Sequence, residues 1–120
     1  NEGEAEAITG VSSANPEEQA KALSKKFGCK DVVITLGPKG AYVTDGSRSK
    51  FISAPKVEAL DTIAAGDTLC ANLAAKLALG ADLFTATKYG VYAATLKVTR
   101  KGSAMGSPTP AEVEKFMGGN

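Results

Sequence analysis

The stretch "DTIAAGDTLCANLAAKLALG", residues 61–80, decides how this chain is read. Two carboxylates, Asp61 and Asp67, bracket a run of small residues, and an alanine- and leucine-rich segment follows at once. Leu69, Leu73 and Leu77 recur at helical spacing with Ala74 and Ala78 beside them, which predicts a helix over 68–79 whose mouth is Ala64, Ala65 and Gly66. The first N–H groups of a helix have no intrahelical partner and carry the positive end of its dipole, so an anion belongs there. Small side chains let a phosphate approach the backbone, and Gly66 tolerates whatever dihedrals the turn needs. Asp67 then stands beside the anion, free to meet a substrate hydroxyl, which is an arrangement suited to phosphoryl transfer. A plainer reading accounts for the same residues: Asp67 as a helix N-cap contributing ~1 kcal/mol, with Asp61 and Thr62 as turn residues.

Outward from this segment the pattern is that of an α/β layer structure. "NEGEAEAITG" reads as a short helix ending at Gly10. "SANPEEQAKALSKKFG" reads as a second, with a cap at Ser13 or Asn15, Pro16 in its first turn, acids early, lysines late and Gly28 as its stop. The period then changes. "DVVITLG" is a β-branched run of the kind buried on both faces of a sheet, and "AYVTDG" with "SKFISA" predicts a hairpin beside it. Residues 82–98 and "TPAEVEKFM", with Pro110 at its first turn and Glu112 near its start, predict two further helices. Helices packed on a sheet follow from that order.

Composition narrows the function. The 120 residues suffice for one domain, and 43% apolar with 22% charged residues is ordinary for a globular chain. A net charge of +1 with no dense basic block gives no case for nucleic acid or a membrane surface, so a small-molecule partner is expected. Histidine is absent, which excludes a Ser/His/Asp triad, a histidine base and a His-ligated zinc site. Acid–base chemistry falls to Asp or Glu. Cys29 and Cys70 lack metal-ligand spacing and read as buried thiols of a reducing compartment, and the apolar stretches are broken by Lys76, Asp82 and Lys88. A soluble, cytoplasmic protein is expected. The chain starts at Asn1, inside what already reads as a motif, which suggests a fragment.

"DTIAAGD" resembles the C-terminal signature of the ribokinase or PfkB family of carbohydrate kinases, written D-T-x-G/A-A-G-D, and Asp61, Thr62, Ala65, Gly66 and Asp67 match it with Ala64 as an allowed variant. Three more stretches agree in order: "NEGEAEAITG" with the family's N-x-x-E segment, "VVITLGPKGAYV" with a strand, tight turn and strand, and "VTRKGSAMGSPTPAEVEKF" with the ribokinase close. The resemblance implies a ribokinase-like three-layer α/β/α fold, present here as the C-terminal part of the sheet with its flanking helices. It implies transfer of the γ-phosphoryl group of ATP to the primary hydroxyl of ribose, with another PfkB sugar or nucleoside kinase as the alternative. A non-catalytic nucleotide-binding or oligomerising fragment is the reading from a different class.

Residue by residue, the resemblance makes Asp67 the catalytic base and the backbone of Ala64, Ala65 and Gly66 the anion hole. Asn1 and Glu4 match the positions that order the phosphates and Mg²⁺, Glu4 through water, while Thr35, Gly37 and Gly40 match the turn near the nucleotide. By themselves these last are a strand end and a Pro-containing turn, with the wrong spacing for a Walker P-loop. A monovalent-cation site, usually K⁺, is implied at Asp61, Ile63, Lys97 and Gly102. Its serine ligand maps to Gly106, with Ser107 one place along, a departure from the family pattern. Val91 stands where relatives place a polar residue near adenine, and Val91, Ala94 and Val98 equally read as core. The family's sugar-binding half and lid lie N-terminal to this region. The implied partners are therefore that half, or a second copy of the chain.

Overall fold

The computed structural model describes residues 1–100 and 108–118, which form two compact units, Asn1–Ser53 and Ala54–Asn120. In the first unit, α1 (Glu2–Thr9) and α2 (Pro16–Phe27) precede a three-stranded antiparallel sheet of β1 (Val32–Thr35), β2 (Gly40–Thr44) and β3 (Ser49–Ser53), in the order β1-β2-β3. The register pairs Ile34 with Tyr42 and Tyr42 with Phe51, so these side chains share one face. On it, Val32, Ile34 and Tyr42 join Ala5 of α1 and Ala20 of α2 in a buried cluster, and Phe51 meets the Tyr42 ring edge-on at 4.9 Å. The strand expected to be buried on both faces is only alternately buried: Val32 and Ile34 are enclosed, Val33 and Thr35 half so. Gly40 to Val43 of β2 are the fully enclosed run, because β2 is central and flanked by both other strands.

The helix boundaries follow local chemistry. α1 starts with a capping box: the Asn1 side chain accepts from the Glu4 N–H at 2.9 Å, and Glu4 Oε2 accepts from the Asn1 backbone nitrogen at 3.0 Å. Gln19, fully buried, donates through Nε2 to the carbonyls of Glu2 and Val11, both at 3.0 Å, and so ties α2 to the start and end of the α1 region. Asn15 is the N-cap residue of α2 but makes no side-chain cap bond; Pro16 at the first position fixes the helix start instead. β1 and β2 are joined by a 3₁₀ turn, Gly37–Lys39, closed by Leu36 N–H donating to the Gly40 carbonyl at 2.8 Å. Gly40 has φ 110° and ψ −124°, a conformation that a side chain would forbid.

The second unit is helical: α3 (Ala65–Ala78), α4 (Leu83–Val98) and α5 (Pro110–Gly118). Asp82 caps α4 by accepting from the Thr85 N–H at 2.9 Å. α3 and α4 cross closely at Gly90, where an added Cβ would stand 2.7 Å from the Leu69 carbonyl oxygen and 3.3 Å from Leu73 Cβ. Of the expected leucine stripe, Leu69 is buried, Leu73 is half-buried and Leu77 is exposed. α4 is enclosed over most of its length, and Tyr89 and Ala93 pack on Val113 of α5. Arg100 and Glu112 form an ion pair; Glu112 also completes a capping box with Thr109, accepting from its N–H at 2.9 Å and donating its own N–H to Thr109 Oγ1 at 3.2 Å.

The expectation for the cysteines is corrected. Cys29 and Cys70 are free and exposed, not buried. Cys29 follows the left-handed Gly28 cap in the loop before β1, and Cys70 lies next to buried Leu69 but on the outward face of α3. No described helix is long and apolar enough to cross a membrane.

Candidate active site

The chain enters α3 through a turn that the sequence does not announce. Ala64, the residue preceding the helix, sits at φ 62° and ψ 16°, the one left-handed non-glycine among the described residues. Gly66, expected to supply the unusual dihedrals, is an ordinary helical residue, with nothing within 4 Å of where its Cβ would be. Thr68 holds the strained turn in place. Its N–H and its Oγ1 both donate to the Ala64 carbonyl, each at 3.0 Å. Upstream, Asp61 Oδ1 accepts from the Ile63 N–H at 2.9 Å, and the N–H groups of Leu60 and Asp61 both donate to the Val98 carbonyl, at 2.7 and 3.1 Å. The residues leading into α3 are thereby pinned to the C-terminal end of α4.

The consequence is a mouth with donors to spare. Ala65 N–H reaches the Thr62 carbonyl at a long 3.3 Å, while among the described residues the N–H groups of Gly66 and Asp67 have no acceptor. Asp67 does not cap the helix, which has no side-chain cap bond, so the plain N-cap reading of this residue does not hold. Its carboxylate is exposed at the first turn. Backbone donors without acceptors beside an open carboxylate can hold an oxyanion and take a proton from a neighbouring hydroxyl.

The remaining predicted positions divide between the units. Asn1 and Glu4 are explained locally by the capping box of α1, a role whose signature, N-x-x-E before a helix, was legible in the sequence. Glu4 is 72% exposed, and its second oxygen is open to a hydrated cation; no group of three or more metal-ligating acids or cysteines forms among the described residues. Thr35, Gly37 and Gly40 are brought together by the β1–β2 turn. Val91 is 2% exposed and packs in the interior of its unit, which supports the core reading for that position.

For the cation set, Asp61 is brought to the end of α4, and the Asp61 and Ile63 carbonyls accept no bond among the described residues. The Lys97 carbonyl accepts from the Arg100 N–H at 3.0 Å. Its side chain is the surprise: Lys97 is 1% exposed, and among the described residues its Nζ has no partner. Gly102, Gly106 and Ser107 lie outside the described residues.

A family model described as pfkB family carbohydrate kinase matches residues 1–110. The chain belongs to the pfkB family. Among pfkB relatives, the ribokinase of Haemophilus influenzae is 38% identical over 119 residues, covering 98% of this chain and 39% of that protein. A ribokinase from Arabidopsis thaliana, solved with ribose and ATP, superposes with a TM-score of 0.87 at 30% identity, covering 98% of this chain and 39% of that one. A double-mutant fructokinase from Vibrio cholerae O395, solved with fructose, ADP and a potassium ion, gives a TM-score of 0.83 at 30% identity over 96% of this chain and 38% of that one. The chain thus has the ribokinase-like α/β fold in part, and it spans about 39% of the length of the ribokinases it matches.

Proposed function

We propose that this chain is the nucleotide-binding and catalytic C-terminal portion of an ATP-dependent carbohydrate kinase. It transfers the γ-phosphoryl group to the primary hydroxyl of D-ribose, giving ribose 5-phosphate and ADP. The observation that carries this reading is the clamped Ala64 turn, which leaves the Gly66 and Asp67 N–H groups without acceptors among the described residues, beside an exposed carboxylate. In the reaction, the sugar oxygen bonds to the γ-phosphorus, the bond to the β–γ bridging oxygen breaks, and the hydroxyl proton passes to Asp67. Charge gathers on the transferred oxygens in a loose transition state, so fixed N–H donors carry much of the acceleration. Removal of one such donor typically costs about 2.7–4 kcal/mol of barrier.

Asn1 and Glu4 act at the phosphate end, with Glu4 holding a hydrated Mg²⁺ through water, in keeping with an ion that sheds its hydration shell reluctantly. Bound Mg²⁺ neutralises phosphate charge. Thr35, Gly37 and Gly40 form the turn against the nucleotide. The acceptor and the remaining walls of the site belong to the part of the kinase that the relatives have and this chain lacks, and the whole enzyme is cytoplasmic. The fructokinase neighbour makes another sugar the second reading. A panel of ribose, fructose and nucleosides offered to the full-length protein separates the two. The role of Asp67 is tested by Asp67→Asn in that protein: nucleotide affinity stays within a few-fold while turnover falls by about 10²–10⁴-fold. Equal losses of affinity and rate would remove Asp67 from the role of base.

A further inference from the structure

Gln19 is a polar side chain that the fold encloses completely. Glutamine is seldom fully buried, because an amide taken out of water costs free energy unless it is hydrogen-bonded. Here Nε2 donates to the Glu2 carbonyl and to the Val11 carbonyl, each at 3.0 Å. Oε1 is buried with no partner among the described residues, so the amide is kept although only its donor end is matched. A methionine of similar volume would fill the space without that cost. What the amide adds is position, and the two carbonyls show where. Glu2 stands between Asn1 and Glu4 in the first turn of α1, and Val11 lies just past the left-handed Gly10 cap that ends the helix.

The Val11 end of this bridge is itself held. Its N–H donates to Thr9 Oγ1 at 3.1 Å, and the Thr9 hydroxyl donates to the Ala5 carbonyl at 2.7 Å. Ala5 and Ala20, the neighbour of Gln19 in α2, both belong to the buried cluster on the sheet. The capping box, by contrast, ties Asn1 and Glu4 to each other through exposed bonds within one turn. Gln19 is what joins that turn, by a buried polar contact, to a second helix.

We propose that Gln19 is a positioning residue for the phosphate end of the nucleotide: its amide holds the first turn of α1 in place, so that Asn1 and Glu4 meet the phosphates and the hydrated Mg²⁺ already ordered. This rests on the role of Asn1 and Glu4 at the phosphates. Gln19 is enclosed and touches neither ligand; it acts through the Glu2 backbone. Ordering a group before its ligand arrives removes that cost from binding. The effect therefore falls on Mg²⁺ and nucleotide affinity and not on the sugar.

The test uses the full-length protein, with Mg²⁺ titrated in the presence of ADP and followed by calorimetry and by hydrogen exchange of the Glu4 amide. Gln19→Met keeps the volume and removes the amide; it raises the Mg²⁺ midpoint about tenfold and speeds Glu4 exchange, while the sugar KM stays within about twofold. Ile34→Val loosens the same core without touching either bond, so its melting temperature falls and its Mg²⁺ midpoint does not move. A Gln19→Met protein that melts lower but keeps the Mg²⁺ midpoint, or an Ile34→Val protein that shifts it equally, would reduce Gln19 to core packing and overturn the proposal. Glu4→Gln separates this from the underlying role. If Glu4→Gln leaves the midpoint unaltered, Glu4 does not hold the ion and the Gln19 role falls with it; if it raises the midpoint and Gln19→Met does not, the Gln19 role falls alone. The unaltered protein labelled with ¹⁵N gives a measurement that needs no variant to fold: on addition of Mg²⁺ and ADP, the Gln19 Nε2 signal moves with the same midpoint as the Glu4 amide. A silent Gln19 signal beside a moving Glu4 amide would also overturn the proposal.

Discussion

At Ala64 the chain accepts a left-handed backbone in a residue with a side chain, and Thr68 clamps it with two bonds to its carbonyl. A left-handed L-residue costs roughly 1–2 kcal/mol, and glycine forfeits about 0.5–1 kcal/mol through the flexibility of its unfolded state. Ala64→Gly therefore raises stability by about 0.5–1 kcal/mol, read as a higher urea midpoint at constant slope. A lower midpoint would mean that the turn is not strained. Gly66 offers the complementary test, because an added Cβ meets nothing within 4 Å and the backbone there is ordinary helix. In the full-length enzyme, Gly66→Val folds with a melting temperature close to that of the parent and loses kcat/KM by about 10²-fold, since only a ligand approaching the Gly66 N–H meets the new methyls. Undiminished turnover would move the phosphate elsewhere.

Among the elements, α5 is linked through Glu112 to Arg100, just beyond the end of α4. The Arg100 guanidinium hydrogen-bonded to Glu112 is the main reason its carboxyl is held down at about 2, and the Thr109 N–H and hydroxyl add to this. A depressed carboxylate stabilises the fold above its unfolded pKa, about 4.5, and that contribution is lost as pH falls through the folded value. Acid titration of thermal stability from pH 5 to 2 consequently shows a decline that Glu112→Gln reduces. An unchanged profile in the variant would show that the Arg100 pair contributes nothing. The "TPAE" pattern that begins this helix was legible in the sequence, as were Pro16, Gly10, Gly28 and the hairpin, because caps and turns are chosen by neighbouring residues. Which strand would be enclosed was not legible. "DVVITLG" has the more apolar composition, yet β2 is the buried run, since its place between two strands depends on pairing partners far along the chain.

For the whole molecule, the proposal that this chain supplies one part of a larger site accords with its 39% coverage of the ribokinases and with the exposure of Phe27, Phe51, Leu60, Ile63 and Leu79. The purified 120-residue chain, given ATP, Mg²⁺ and ribose, accordingly shows no phosphorylation above background, whereas the full-length protein does. Ribose phosphate formed by the chain alone and abolished by Asp67→Asn would show that these residues complete a kinase site by themselves. The sequence by itself determined the family, through four short motifs in order, and the caps and turns at Gly10, Pro16 and Gly28, because both are written in residues close together along the chain. The tertiary structure alone decided that Ala64 and not Gly66 bears the strained turn, that Val91 is interior, and that the Lys97 side chain is buried. Each of these depends on what a distant segment places against the residue: the Val98 carbonyl holding the entry to α3, and the close crossing at Gly90 that sets α4 along α3. Periodicity fixes which side of a helix a residue occupies, and only packing fixes what lies opposite.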